Sequence, residues 1–205
     1  SEIKWSSGLE SKIKRNIEIE FDESKMKLIH YRPFAKKWIY YDSKLIDRPG
    51  QYVQYDERQN AFIYTTGTGI SRPFSALISN DMPNLHMMDS GKGYFLKELE
   101  SEGLFDAGYN INPLFGLEAE EEFYYVYAVL NSPEYKRRYA ADLKKESPRI
   151  PLLANKQRYV EVGRELVNLH LNYDEQPQWP GVRVSSLGEN YRVKKMKHPK
   201  KGVLN

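Results

Sequence analysis

Cysteine is absent from this chain of 205 residues. The absence removes thiolate nucleophiles, disulfide frameworks and cysteine-ligated zinc, and it fits a reducing compartment, so a cytoplasmic location is expected. Long apolar runs are missing too. No stretch approaches the roughly 20 residues that a bilayer-crossing helix needs, and Ser1-Glu2-Ile3-Lys4-Trp5 lacks the apolar core of a signal peptide. No membrane partner is expected. The chain opens without Met, which reads as a fragment of a longer polypeptide. Histidine is scarce: His30, His86, His170 and His198 are isolated, with no His-x-x-x-His spacing, so no metal site is expected. Apolar and aromatic residues are plentiful, at 40% and 13%, enough to bury a core.

The net charge of +3 is too small to announce a polyanion partner by itself. Its distribution is more informative. Arg192, Lys194, Lys195, Lys197, Lys200 and Lys201 follow one another without an acid, and this terminal run supplies the positive sign. A second cluster spans Lys25 to Arg58, where basic residues alternate with Tyr31, Phe34, Trp38, Tyr40 and Tyr41. Cations interleaved with aromatics on strand-like sequence make a surface able to meet phosphates and bases.

Periodicity divides the chain. Ser6 or Ser7 can cap a short helix carrying Leu9 and Ile13, and Ile17, Ile19 and Phe21 alternate with acids as in a half-buried strand. Residues 38–41, 61–65, 74–78 and 85–88 are further short β-type runs, separated by Pro, Gly, Asn and Asp. From Leu117 the spacing turns helical: Phe123, Val126, Tyr127 and Leu130 form one stripe, and Tyr135, Tyr139 and Leu143 form another after the Ser132-Pro133 start signal. Ser147 to Pro151 must be extended, because each Pro biases its predecessor away from helix. Asn155 then caps a third helix that turns Tyr159, Val162, Leu166 and Leu169 inward. The expected fold is α+β: a sheet-rich lobe over 1–116, a helical lobe over 117–175 and a basic tail over 176–205.

No catalytic constellation assembles. Thr66-Gly67-Thr68-Gly69-Ile70-Ser71 opens like a phosphate-binding loop but lacks the Gly-Lys-Ser/Thr that must follow, so a turn between strands is the simpler reading. Asn112-Pro113-Leu114-Phe115 has the outline of the loop with which adenine methyltransferases grip a flipped base, without its second proline or a glycine-rich strand end for the methyl donor. Acid-x-Lys triplets, half of a metal-dependent nuclease signature, occur at Glu10/Lys12, Glu23/Lys25, Asp42/Lys44, Glu134/Lys136 and Asp142/Lys144. With 29% charged residues such triplets arise by chance. Glu118, Glu120, Glu121 and Glu122 open a helix, where the dipole stabilises negative charge.

Two longer motifs carry a family resemblance. Tyr31-Arg32-Pro33-Phe34-Ala35-Lys36-Lys37-Trp38-Ile39-Tyr40-Tyr41, followed by Arg48-Pro49, resembles the Y-R-P-F-D-x-R-W-x-Y-Y signature of type ISP restriction-modification enzymes. Residues 123–135, then Arg138-Tyr139-Ala140 and Pro148-Arg149-Ile150-Pro151-Leu152, resemble the family's Y-Y-I-Y-A-V-L-H-S-P-x-Y and F-P-R-I-P-L blocks. The chain departs at Ala35, where Asp is usual, at Asn131, often His, and at Lys37, where Arg is common and a bidentate fork is lost.

The larger enzymes of that family join a nuclease, a helicase-like motor, an adenine methyltransferase and a C-terminal target recognition domain. The resemblance implies that this chain is the last of these, with no catalysis and no cofactor of its own. The parent would use S-adenosylmethionine, with ATP and Mg where it also carries a motor and a nuclease. Its partners would be double-stranded DNA and the methyltransferase domain of the same polypeptide. Arg forks suit guanine, while Lys and hydroxyls suit phosphates, so the DNA-binding candidates are Arg32, Lys36, Lys37, Arg48, Thr65, Thr66, Thr68, Ser71 and Arg72. Arg32 can instead hold a turn beside Pro33, and Trp38 with Tyr40 can be core. A docking lobe with little DNA contact, and a stand-alone metal-dependent nuclease, are the readings from other classes.

Overall fold

The computed structural model describes residues 7–18, 20–42, 44–46, 60–84, 86–97, 110–111 and 113–181. A short helix α1 (Ser7–Lys14) precedes a hairpin of β1 (Met26–Arg32) and β2 (Ala35–Tyr40). Strands β3 (Phe62–Thr65), β4 (Ala76–Ser79), β5 (Met82–Pro83) and β6 (Lys92–Phe95) complete the sheet half. The helical half holds α2 (Ala119–Asn131), α3 (Pro133–Arg138) and α4 (Lys156–Leu171). The arrangement is α+β. Residues Ser1–Asp174 form one compact unit and Glu175–Asn205 a second.

The strands make two three-stranded sheets, ordered β2-β1-β5 and β4-β3-β6. β1 runs antiparallel to β2, with Met26 opposite Tyr40 and an irregular register between His30 and Arg32. It runs parallel to β5. β3 is the centre of the second sheet, with Phe62 opposite both Ser79 of β4 and Phe95 of β6. Alternation along β3 explains the layering. Ile63 joins Ala76 and Ile78 in the core shared with α2 and α4, whereas Phe62 and Tyr64 face the other way, toward Ile29, Leu77, Met82 and Met87. Because both faces are covered, β3 reads as an uninterrupted buried run.

Helix α2 is the pillar of the core. Phe123, Tyr125, Tyr127 and Val129 are all buried, and each buried tyrosine hydroxyl has a partner, as burial demands. Tyr125 donates to the Pro151 carbonyl and accepts from the Leu153 N–H at 3.0 Å. Tyr135 of α3 donates to the Arg149 carbonyl at 2.8 Å. The aromatic helices thereby pin the Pro-containing extended segment that leads into α4. Buried Glu122 accepts from the Leu114 and Phe115 N–H groups at 2.9 and 3.2 Å, holding the loop ahead of its own helix.

Four expectations are corrected. Residues 17–18 and 20–22 form no strand: Ile17 and Phe21 are exposed, and Phe21 stacks on Tyr40 with ring centroids 5.5 Å apart (Ile19 lies outside the described residues). Residues 86–89 are a turn rather than a strand, although Met87 and Met88 are buried; Leu85 lies outside the described residues. On α4 the buried stripe is Val160, Gly163 and Val167, one position away from the predicted face, and Leu169 is exposed. The reason is Gly163. A Cβ there would overlap the carbonyl oxygen of Tyr124, so α4 meets α2 nearly backbone to backbone along this face. Asn155 precedes α4 but its side chain makes no cap hydrogen bond.

Candidate nucleic-acid interface

The β1–β2 turn is tight, with Phe34 at φ +55°, and it projects Arg32, Pro33 and Phe34. The β3–β4 connection starts at Thr66, whose N–H donates to the Ser75 carbonyl at 3.0 Å and whose Oγ1 accepts from the Ser75 N–H at 3.2 Å. Beyond that clamp the chain is fastened at two more points. Gly67 N–H donates to Asp89 O at 3.4 Å, and Gly69 N–H to Lys144 O at 2.8 Å. At Gly67 a Cβ would sit 2.6 Å from the Ser90 carbonyl oxygen, so the close packing requires glycine. The 66–75 connection is therefore a shaped loop, tied to the 86–90 turn and to the helical half.

Between these elements lies an open cleft of about 750 Å³. Arg32 and Phe34 line it from the hairpin, Thr66 and Arg72 from the loop, His86 and Asp89 from the turn, and Asn131, Lys136 and His170 from the helical half. Among the described residues that line it, Arg32, Arg72 and Lys136 bring positive charge and Asp89 is the one carboxylate. That acid pairs with Arg72, Nε to Oδ2 at 3.0 Å, but both side chains are well exposed. Such a pair contributes roughly 0–1 kcal/mol, so another anion can replace Asp89 at small cost.

The nine sequence candidates separate by environment. Arg32, Thr66 and Arg72 converge on the cleft. Arg32 also braces the hairpin: its Nη1 donates to Tyr31 O at 2.7 Å and to Asn84 Oδ1 at 3.4 Å. Lys37 is exposed and places Nζ 4.3 Å from the Tyr31 ring centroid, the same ring that Arg32 covers at 4.2 Å. Lys36 is engaged elsewhere, 2.9 Å from Asp81 Oδ2; burial alone would lower its pKa, but the carboxylate prevails and raises it. Thr68 and Ser71 are exposed on the loop. Thr65 is 2% exposed inside β3 and offers nothing to the surface. Arg48 and the basic run of the tail lie outside the described residues. Trp38 is 66% exposed on β2 rather than core, while Tyr40 is half-buried, its hydroxyl accepting from Asp22 N–H at 3.0 Å.

Sequence reasoning missed the helical wall as part of this cleft. His170 sits 43 residues beyond Tyr127, yet the two side chains are hydrogen-bonded, and no local spacing announces that meeting. Burial, and then the nearby Lys136 charge, push the His170 pKa down; burial also pushes Lys136 down and Tyr127 up. Among the described residues no group of three or more His, Asp or Glu side chains could hold a metal ion, and no helix is long and apolar enough to cross a membrane.

Fold and cleft define an α+β domain that gathers cations and short polar side chains around one concave surface, mostly from loops and element ends. The chain belongs to the Type ISP C-terminal specificity domain family, whose profile it matches over residues 1–204. Among solved structures it is similar to a nuclease-deletion mutant of the Type ISP restriction-modification enzyme LlaGI in complex with a DNA substrate mimic. The TM-score is 0.80 and the identity 41%, covering 97% of this chain and 19% of that one. It is similar also to the ATP-dependent Type ISP enzyme LlaBIII bound to DNA, with TM-score 0.80 and 34% identity, over 98% of this chain and 14% of that one. DrdV, from a DrdV–DNA complex, shares the fold with TM-score 0.78 at 23% identity, over 93% of this chain and 20% of that one. The chain thus spans less than a fifth of the length of each of the first two enzymes. Among curated proteins no relative matches.

Proposed function

We propose that this chain is the target recognition domain of a longer restriction-modification polypeptide, that it binds double-stranded DNA sequence-specifically, and that it makes or breaks no bond itself. In this reading the parent carries an adenine-specific methyltransferase domain that uses S-adenosylmethionine. ATP and Mg serve the parent's motor and nuclease if it has them. The observation that carries the proposal is the convergence of Arg32 from the end of β1 and Thr66 and Arg72 from the 66–75 loop on one cleft, where Asp89 is the one acid among the described residues. Two solved relatives at 41% and 34% identity, one in complex with a DNA substrate mimic and the other bound to DNA, support it.

Physically, the domain would supply binding energy and address. Lys37, Thr68 and Ser71 lie exposed where backbone phosphates can be met, and such contacts position a duplex without reading it. Arg32 and Arg72 bear the planar forks that match the O6/N7 edge of guanine in the major groove. The 66–75 loop joins two adjacent strands, so its tip can vary without disturbing β3 or β4. The test is a fluorescence anisotropy titration of the whole chain with a labelled duplex at several salt concentrations. Each neutralised phosphate contributes about 0.9 to the slope of log K against log salt, so a slope of several units is expected. Failure to bind duplex DNA at low salt overturns the proposal.

A further inference from the structure

Helices α2, α3 and α4 bring three polar side chains, Asn131, Lys136 and His170, to the cleft. Lys136 is half-buried, and among the described residues no carboxylate pairs with it. Its Nζ donates to Asn131 Oδ1 at 3.1 Å. The Asn131 amide nitrogen in turn donates to the Tyr127 carbonyl at 3.2 Å, which keeps the Asn131 oxygen turned toward the lysine. One of three ammonium donors is used, and two remain.

His170 is oriented by a second chain of hydrogen bonds. The buried Tyr127 hydroxyl accepts from the Ile78 N–H at 3.2 Å, and the partner left for its own proton is His170 Nδ1. That assigns Nδ1 as the acceptor and places the imidazole proton on Nε2. Nε2 is not sealed from solvent and has no partner among the described residues. Lys136 and His170 are near enough for the lysine charge to act on the ring. Among the described residues lining the cleft the one carboxylate is Asp89, and it pairs with Arg72.

Two donors, one cationic, thus share the helical wall, and among the described residues no carboxylate pairs with either. We propose that Lys136 Nζ and His170 Nε2–H form a seat for one backbone phosphate of the DNA, with Tyr127 as the positioning residue that fixes the imidazole tautomer. This rests on the reading of the cleft as the place where the duplex docks. Phosphate suits the seat because it accepts several hydrogen bonds at once and carries the charge that Lys136 lacks nearby.

The experiment is a salt-dependent DNA titration of the whole chain, with thermal melting of every variant. Lys136→Met keeps the apolar stem and removes the charge. It is expected to weaken binding about tenfold at moderate salt and to reduce the log–log slope by about 0.9, while Lys136→Arg keeps the slope. His170→Gln retains an N–H donor and binds within about twofold of wild type, whereas His170→Leu binds several-fold more weakly. A duplex with single methylphosphonate substitutions identifies the seated phosphate: at one position the neutral linkage abolishes the difference between wild type and Lys136→Met. If wild type binds duplex and a well-folded Lys136→Met keeps both affinity and slope, the phosphate seat is refuted while the docking reading stands. If wild type binds no duplex, the docking reading fails and takes the seat with it.

Discussion

Gly163→Ala tests the packing that holds the cleft wall in place. On helix propensity alone the substitution should stabilise α4 by about 0.8–1.0 kcal/mol. Contact opposes this. The new methyl would overlap Tyr124 O and lie 2.6 Å from its carbonyl carbon, both backbone atoms of α2 that no side-chain rotation can move. A comfortable approach is near 3.5 Å, so α4 must back away from α2 by roughly an ångström along a face that also buries Val160 and Val167. Overpacking of this kind costs about 1–3 kcal/mol, and lost contacts on either side add to it. The expected net is a destabilisation of about 1–2 kcal/mol, or a fall in Tm of about 2–8 °C for a unit of this size. Differential scanning calorimetry of the whole chain reads it directly. The same retreat separates His170 on α4 from Tyr127 on α2, so duplex affinity should fall along with Tm. An unchanged or raised Tm would show instead that propensity outweighs contact at Gly163.

Other consequences are smaller in scope. Glu122→Ala leaves the Leu114 and Phe115 N–H groups without their carboxylate, and a loss of about 1–3 kcal/mol in urea denaturation is expected; full retention of stability contradicts the bracing role. His30 is 2% exposed with Nδ1 2.7 Å from Ser79 Oγ, and burial lowers its pKa. Its stabilising effect is complete above the unfolded value of about 6.5 and fades as pH falls from there toward the depressed native value, by at most about 1.4 kcal/mol per pH unit. Melting between pH 7.5 and 5 should show that decline, and a level Tm would contradict it. Arg72→Ala should leave Tm within about 2 °C of wild type, because its exposed pair with Asp89 is weak. Its duplex affinity should nevertheless fall several-fold, and no change in affinity would remove Arg72 from the interface.

Much of the helical half is legible in sequence because its signals are local. The Ser132-Pro133 break, the spacing of Phe123, Tyr127 and Leu130, and the prolines at 148 and 151 each act over a few residues, and the structure follows them. The α4 face misleads by one position because periodicity weights large apolar side chains. The true contact is a glycine, whose value lies in what it lacks. The apparent strand at Ile17–Phe21 has the right alternation but no neighbouring strand to bond with among the described residues, and alternation alone does not create a partner. β6 went unseen because Lys92-Gly93-Tyr94-Phe95 is short and glycine-containing; β3 recruits it by tertiary pairing. The cleft divides in the same way. Arg32, Thr66 and Arg72 are visible as cations and hydroxyls near turns. The Asn131–Lys136–His170 wall depends on three helices meeting, which is long-range information that no window of sequence contains.

Whether the proposed domain selects an address on the double helix can be read from repeated selection out of a library of random duplexes, retained on the immobilised whole chain at moderate salt and sequenced after each round. Convergence on one short sequence is expected, with each changed base pair costing about 1–3 kcal/mol in follow-up titrations. Arg32→Ala or Arg72→Ala should relax the choice at individual positions. A pool that stays random through successive rounds, while DNA is still retained, would contradict sequence-specific binding.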